Sequence, residues 1–340
     1  MSKKAWLVIA PGELGDTLSF MPVLNRVRAN MPSRIALHVV VIVPLKTLFE
    51  ETEGIDKIYS FDDFADTEFT YDWILDFSGM PSASQFTAGC QYRHIVRRHF
   101  DGDVPEFSVD GGKRIPIEIF REDLSGIGGD PNLPAFMLEA PLVAAVFKED
   151  IASCVFEKID FPILKLKGEF GNRERSNSVY LIPGGTSKAK KWPIENYFEL
   201  YQKLETEGFS PAFVLGECEA FYLPLIRERG MRFYFNKDLS ELAFLFNRAA
   251  FVIANDCGIM HLAAVLGTPT IAVFGPTNPA CWFYYERYAP NLFKSFQVTG
   301  TQHNPWGILK GISSWDMWPS VDSVFNYIKG ANFLVSQDKD

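Results

Sequence analysis

The feature that most constrains this chain is a repeated unit: a short apolar run, a polar loop bearing glycine or proline, then a helical pattern. It occurs where Ala5–Ala10 meets Pro11–Asp16, and where Ser178–Ile182 meets Pro183–Ser187. It recurs at Ala212–Leu215 before Gly216–Glu219, and at Ala249–Ala254 before Asn255–His261. Thr270–Phe274, before Gly275–Pro279, adds another strand and loop. Runs this short, bounded by turn residues, read as strands buried on both faces. Strands alternating with helices favour a parallel sheet in an α/β fold.

The repeats fall into two series. A chain of 340 residues is too long for one comfortable core. Between the series, residues 104–165 are irregular apart from some helix around 140–156. The charged stretch Leu164–Asn177 lacks an apolar period and reads as the linker. In the first series Ile35–Pro44, Asp56–Phe61 and Trp73–Phe77 supply further strands, with a helix around Leu45–Thr52. Pro22 predicts a kink or restart in the helix that follows the first loop. Helices are also expected over Asp238–Ala249 and Val321–Lys329.

Composition excludes several classes. A net charge of −9 argues against a general nucleic-acid binder, so an anionic ligand must be met by local features. About six apolar residues precede Pro11, fewer than a secretion signal or membrane span requires, and a cytoplasmic location is expected. The five cysteines are scattered and form no C-x-x-C pair, which disfavours a disulfide framework or zinc site.

The loops carry the candidate chemistry. In the first, Gly12 and Gly15 let the backbone approach a ligand, and Asp16 falls at a helix-cap position. In the second half, Gly184, Gly185, Thr186 and Ser187 form a turn able to cradle phosphate through its amides. Lys188, Lys190 and Lys191 follow, before Trp192-Pro193 opens a helix. Glu217 or Glu219, beyond the next strand, could accept ribose hydroxyls. Asp256 either caps the helix begun at Gly258 or faces a ligand, and His261 is either packed or part of that site.

Gln91–Phe100 is the one basic cluster; read as a helix, it sets Arg93 and Arg97 one turn apart with Arg98 nearby. It serves either an acidic acceptor or a solvated face. Asp101-Gly102-Asp103 has the form of a metal-diphosphate motif, but no apolar strand precedes it and it reads as a turn.

Four blocks, in order, give the chain a family resemblance: Pro11–Asp16; Pro183–Ser187 with Lys190–Pro193; Asn255–His261; and Gly267–Pro269 with Phe274–Thr277. With them the chain resembles the heptosyltransferases, family 9 glycosyltransferases that add heptose to the lipopolysaccharide inner core. The resemblance implies a GT-B fold, two Rossmann-like domains with parallel sheets facing a central cleft. Residues 1–165 would form the acceptor domain, joined by a C-terminal helix at 320–335. Residues 166–177 would be the linker and 178–319 the nucleotide-sugar donor domain.

The resemblance also implies inverting, metal-independent transfer from ADP-heptose to a lipopolysaccharide-core or related saccharide or lipid-linked acceptor, at the cytoplasmic face of the inner membrane, with no cofactor. Asp16 becomes the general base, Lys190 the counter-charge of the leaving diphosphate, and Asp256 a ligand of sugar hydroxyls. The helix start from Gly258 to His261 faces the phosphates. Gly12, Gly15, Arg93, Arg97 and Arg98 are placed on the acceptor side. The alternatives are a related transferase using another nucleotide sugar, or a non-catalytic nucleotide-sugar-binding protein. A dinucleotide oxidoreductase is disfavoured, because neither opening strand leads into G-x-G-x-x-G.

Overall fold

The computed structural model describes residues 3–101, 104–112, 115–116, 143, 146–148, 158–168, 175–185, 187–298 and 318–331. The chain divides into two compact units, Met1–Ile163 and Leu164–Asp340.

The first unit is built on five parallel strands, β1 (Lys3–Ile9), β2 (Ala36–Val41), β3 (Lys57–Ser60), β4 (Phe69–Asp76) and β5 (Gln91–Asp101). Their order is β3-β2-β1-β4-β5, extended by antiparallel β6 (Val104–Val109) and β7 (Ile115–Pro116). β1 and β2 are apolar along nearly their whole length because both faces of a parallel sheet are covered. After β1 come α1 (Leu14–Ser19) and α2 (Met21–Asn30), with Phe20 between them and Pro22 in the first turn of α2. Pro22 therefore marks a restart, where its missing N–H costs nothing. α3 (Val43–Glu50) and α4 (Pro81–Ala88) follow β2 and β4. Val143, Val146 and Phe147 are helical and Lys148 lies in a turn; the other residues of the helix expected around 140–156 lie outside the described residues.

The basic cluster corrects the sequence reading: Gln91–Phe100 belongs to strand β5, not to a helix. The charges suit a strand because β4 supplies partners in register. Arg97 lies beside Asp76, its Nε 3.1 Å from the carboxylate, and Arg93 Nε lies 3.4 Å from Asp72. Tertiary pairing overrides the local pattern. Asp101 pairs with Val104, while Gly102 and Asp103 lie outside the described residues.

The second unit is an uninterrupted parallel sheet of β8 (Ser178–Ile182), β9 (Ser210–Leu215), β10 (Phe233–Phe235), β11 (Phe251–Asn255), β12 (Thr270–Phe274) and β13 (Phe293–Gln297). The order is β10-β9-β8-β11-β12-β13. α5 (Ile194–Thr206), α6 (Leu223–Glu228), α7 (Leu239–Asn247) and α8 (Gly258–Val265) follow β8 to β11 in turn. The short α9 (Pro279–Trp282) and α10 (Tyr285–Tyr288) lie between β12 and β13. A reciprocal cap starts α7: Asp238 accepts from Glu241 N at 2.7 Å, and Glu241 from Asp238 N at 3.3 Å. α8 is capped by Leu266, and Gly267 beyond it, whose φ of 69° suits a residue without Cβ, turns the chain into β12.

The last helix, α11 (Val321–Gly330), does not join the first unit as the domain reading supposed. Val321, Val324 and Ile328 are buried in the second unit's own core, which they share with α5 residues Tyr197, Leu200 and Leu204. Lys203–Asp322 and Lys329–Glu207 ion pairs, each 3.0 Å, flank that seam. Its apolar residues recur on one stripe, and the α5 face is what covers them.

The boundary between the units falls at 163/164, slightly before the expected linker. Leu164 N donates to Val265 O at 2.9 Å and Ser176 N to Arg248 O at 2.8 Å, so both ends of the charged stretch are tied to the second unit. Among the described residues, no helix is long and apolar enough to cross a membrane. Truncating Ile328 to Ala should destabilise the second unit by about 2–4 kcal/mol, read from its denaturant midpoint.

Candidate functional site

In each sheet the strand order reverses at one point, the place where open α/β sheets bind their ligands. In the second unit this point lies between β8 and β11. One fully buried side chain joins the two loops. Asn255 Oδ1 accepts from Trp192 N at 3.1 Å and from the Tyr197 hydroxyl at 2.9 Å. Its Nδ2 donates to Pro183 O at 2.8 Å and Gly184 O at 3.2 Å. All four hydrogen-bonding positions of the amide are used, so its orientation is fixed by its surroundings.

The next residue, Asp256, is 5% exposed and is not the cap of α8. Cys257 occupies that position, and the Asp256 carboxylate turns instead to Lys190 Nζ, 2.7 Å away, and to the Thr277 hydroxyl. Lys190 ends a single 3-10 turn, Lys188–Lys190, whose Ala189 N–H donates to Ser187 Oγ at 3.3 Å. That turn lies so close to Gly275 that a Cβ there would sit 2.2 Å from Ala189 O. Gln297 Nε2 supports the Thr277 backbone at 3.0 Å. Three strand-end loops, after β8, β11 and β12, thus converge on one lysine–carboxylate pair.

A second carboxylate closes the β9 side. Glu219, 8% exposed, accepts from Gly216 N at 3.3 Å and lies 3.5 Å from Lys191 Nζ. A Cβ on Gly184 would meet the Glu219 carboxylate at 3.1–3.3 Å, so the glycine is what admits the acid against this loop. Glu217 is exposed on the same turn. Of these two acids, Glu219 is the one that lies against the Gly184 loop.

His261 is 3% exposed, with Nδ1 2.9 Å from the Tyr285 hydroxyl. Burial lowers its pKa to about 4, with Asp256 opposing and Lys190 reinforcing the shift. It is a neutral packed imidazole at pH 7.

The first unit repeats the arrangement at its own reversal point, between β1 and β4. Gly12, after β1, packs under Met80, after β4; a Cβ would fall 2.2 Å from Met80 Sδ. Met80 N donates to Ser78 Oγ at 3.1 Å, and Ser78 Oγ donates to Asp76 Oδ1 at 2.7 Å. Arg97 Nε meets the other Asp76 oxygen at 3.1 Å, and Arg97 Nη2 reaches Thr87 Oγ1 at 2.8 Å. Burial pushes the Asp76 carboxyl up, against the opposing pull of Ser78 and Arg97. Asp16 is half-buried in the first turn of α1 rather than at its cap, which is Glu13, while Thr17 Oγ1 donates to Pro11 O at 2.5 Å.

The structure therefore brings together Gly184, Gly185, Lys190, Lys191, Glu219 and Asp256, with Gly258 opening α8. Thr186 lies outside the described residues. Gly12 and Gly15 share the β1 loop with Asp16. Arg97 is engaged by Asp76 and Thr87, and Arg98 Nη1 lies 3.5 Å from Phe77 O. Sequence reasoning missed the roles of Asn255, Gly275, Thr277 and Gln297. The available signal was a polar residue closing an otherwise apolar strand at Asn255, and the Gly-Pro-Thr turn after β12.

Residues 161–304 match the family model "Glycosyltransferase family 9 (heptosyltransferase)". Over that segment the chain is similar to glycosyltransferase family 9. It is 34% identical over 99 residues to lipooligosaccharide heptosyltransferase 2 of Haemophilus influenzae, across 27% of this chain and 29% of that protein. It is 29% identical over 157 residues to lipopolysaccharide heptosyltransferase 1 of Pseudomonas aeruginosa, across 41% of this chain and 42% of that one. These matches span less than half the length of either relative. The fold extends further: an E. coli heptosyltransferase solved with ADP aligns over 96% of this chain and 99% of its own, with a TM-score of 0.66 at 17% identity. The two parallel-sheet units are those of the GT-B fold.

Replacing Asn255 with Leu should cost about 2–4 kcal/mol, because the buried Trp192 amide and the Pro183 and Gly184 carbonyls lose the side chain that meets them; chemical denaturation checks this. Gly275→Ala should push back the turn that carries Lys190, weakening ligand binding more than it lowers stability. For His261 the unfolded state binds more protons than the folded state between pH 6.5 and about 4. Stability should therefore fall on acidification through that window, by up to ~1.4 kcal/mol per pH unit from this residue. His38, also buried and lowered to about 4, should add to the fall. A His261→Gln variant should show a shallower slope in a pH series of denaturant midpoints.

Proposed function

We propose that the chain is an inverting glycosyltransferase that moves heptose from ADP-heptose to a saccharide acceptor of the lipopolysaccharide core. The observation that carries this reading is the meeting of Lys190 and Asp256, 2.7 Å apart, where the second sheet reverses its strand order. A cation, a carboxylate and the amino end of α8 at that position suit a sugar diphosphate: the cation and helix amides face phosphate, and the carboxylate faces sugar hydroxyls. The ADP of the E. coli relative and the heptosyl transfer named for the curated relatives support the choice of donor and sugar.

In this reading Lys190 and the α8 amides stabilise the charge that develops on the leaving ADP. Such preorganised groups can do this without a metal ion. Lys190 leaves Asp256 as the diphosphate enters, and Asp256 then accepts from heptose hydroxyls. Glu219, held by Gly216 N and Lys191, accepts from ribose. Asp16 takes the proton of the attacking acceptor hydroxyl, and its half-burial in the glycine-bearing β1 loop suits contact with substrate. The site of action is the cytoplasmic face of the inner membrane, where the lipid-linked acceptor is assembled.

ADP and ADP-sugars should raise the melting temperature, whereas UDP and GDP should not. Saturation at a hundred times Kd corresponds to about 2.7 kcal/mol. No response to any nucleotide would remove the donor site. Asp16→Asn should lower kcat by about 10²–10⁴ with donor binding retained. Lys190→Met should lose donor affinity and turnover together, and chelation of metal ions should leave the wild-type rate unchanged.

A further inference from the structure

The donor-site reading gives His261 a place near the phosphates and says nothing of its protons. His261 is the fourth residue of α8, and helical side chains lean toward the amino end, here toward Asp256. Asp256 and Lys190 both act electrostatically on the ring. On its other side the ring meets an aromatic wall. Tyr285 is completely buried, its hydroxyl 2.9 Å from Nδ1, and Tyr284 and Phe283 pack against it with ring centroids 4.2 and 5.5 Å away.

A neutral imidazole in this position has two tautomers. With the proton on Nδ1, the ring donates to Tyr285 and presents a bare lone pair to the side where carboxylate and phosphate oxygens gather. With the proton on Nε2, Tyr285 donates to Nδ1 and the ring offers an N–H to those anionic oxygens. The second arrangement satisfies both nitrogens, and the partner of one fixes the role of the other. Burial keeps the Tyr285 phenol protonated and the imidazole uncharged, which this arrangement needs.

We propose that Tyr285 is a positioning residue that locks His261 in the Nε2–H tautomer, so that a neutral ring donates a hydrogen bond to the diphosphate of the bound nucleotide sugar. The diphosphate contact rests on the donor-site reading; the tautomer does not. The pairing adds no charge to the site and makes His261 a directional donor. A protonated histidine there would also attract phosphate, but it would compete for Asp256 with Lys190.

The test is ¹⁵N NMR of histidine-labelled protein at pH 7.5, with the His261 signals assigned by a His261→Gln variant. The nucleotide-free wild type should show a single neutral tautomer, with the pyrrole-type nitrogen at ε2. Adding ADP should shift that Nε2 resonance. Tyr285→Phe keeps the ring that fills the core and removes only the hydroxyl. It should leave His261 in a mixture of tautomers and weaken ADP binding by about three- to tenfold. A wild type carrying the proton on Nδ1, or a Tyr285→Phe spectrum with the tautomer unchanged, would overturn the proposal. The wild-type spectrum decides the tautomer even if Tyr285→Phe folds poorly. A wild type that binds no ADP while holding the Nε2–H form would overturn the donor-site reading and the diphosphate contact, and leave the lock itself supported.

Discussion

The second unit depends on the Asn255 amide. It is fully buried at the end of β11, and its four hydrogen bonds tie that strand to the loop after β8 and to the start of α5. A buried amide is tolerated only when every donor and acceptor is met, and here two donors and two carbonyls meet it. The result is a rigid floor between two strand ends. Asp256 and the Lys188–Lys190 turn stand on that floor, and Gly275 allows the turn to come close enough for Lys190 to reach Asp256.

The first unit solves the same geometric problem with a carboxylate. Asp76, also at a strand end and buried, gathers Ser78 and Arg97, and through Ser78 and Met80 it supports the loop that carries Gly12 and Asp16. Each sheet therefore uses one buried polar side chain at its reversal point to fix two loops. The difference is charge. Asn255 needs no counter-ion, whereas Asp76 needs Arg97, which explains why the basic residue of β5 turns to its own sheet.

The architecture was legible because it is written in local pattern. Apolar runs such as Ala5–Ala10 and Ala249–Ala254 can hardly be anything but strands buried on both faces, and their glycine and proline loops mark the ends. β10 and β13 were not legible: Phe233–Phe235 is too short, and Phe293–Gln297 interleaves Lys and Ser with its aromatics. The Gln91–Phe100 cluster misled because its charges are neutralised from strand β4 and from Asp110, which no window along the chain displays. The destination of the final helix was equally hidden, since an apolar stripe shows that a helix packs but not on what. Within the site, Lys190, Asp256 and the glycine loops could be named from spacing and resemblance. Thr277 could not, because it meets Asp256 only through the fold, 21 residues along the chain.

If Lys190 and α8 hold the donor, the reversal point of the second sheet receives a nucleoside diphosphate. A crystal structure of the protein with ADP tests it most directly. The β-phosphate is expected within hydrogen-bonding distance of Lys190 Nζ and of the first amides of α8, with the Lys190–Asp256 contact opened. Nucleotide bound at the β1 and β4 loops of the first unit, or bound in the second unit with Lys190 still on Asp256, would contradict it.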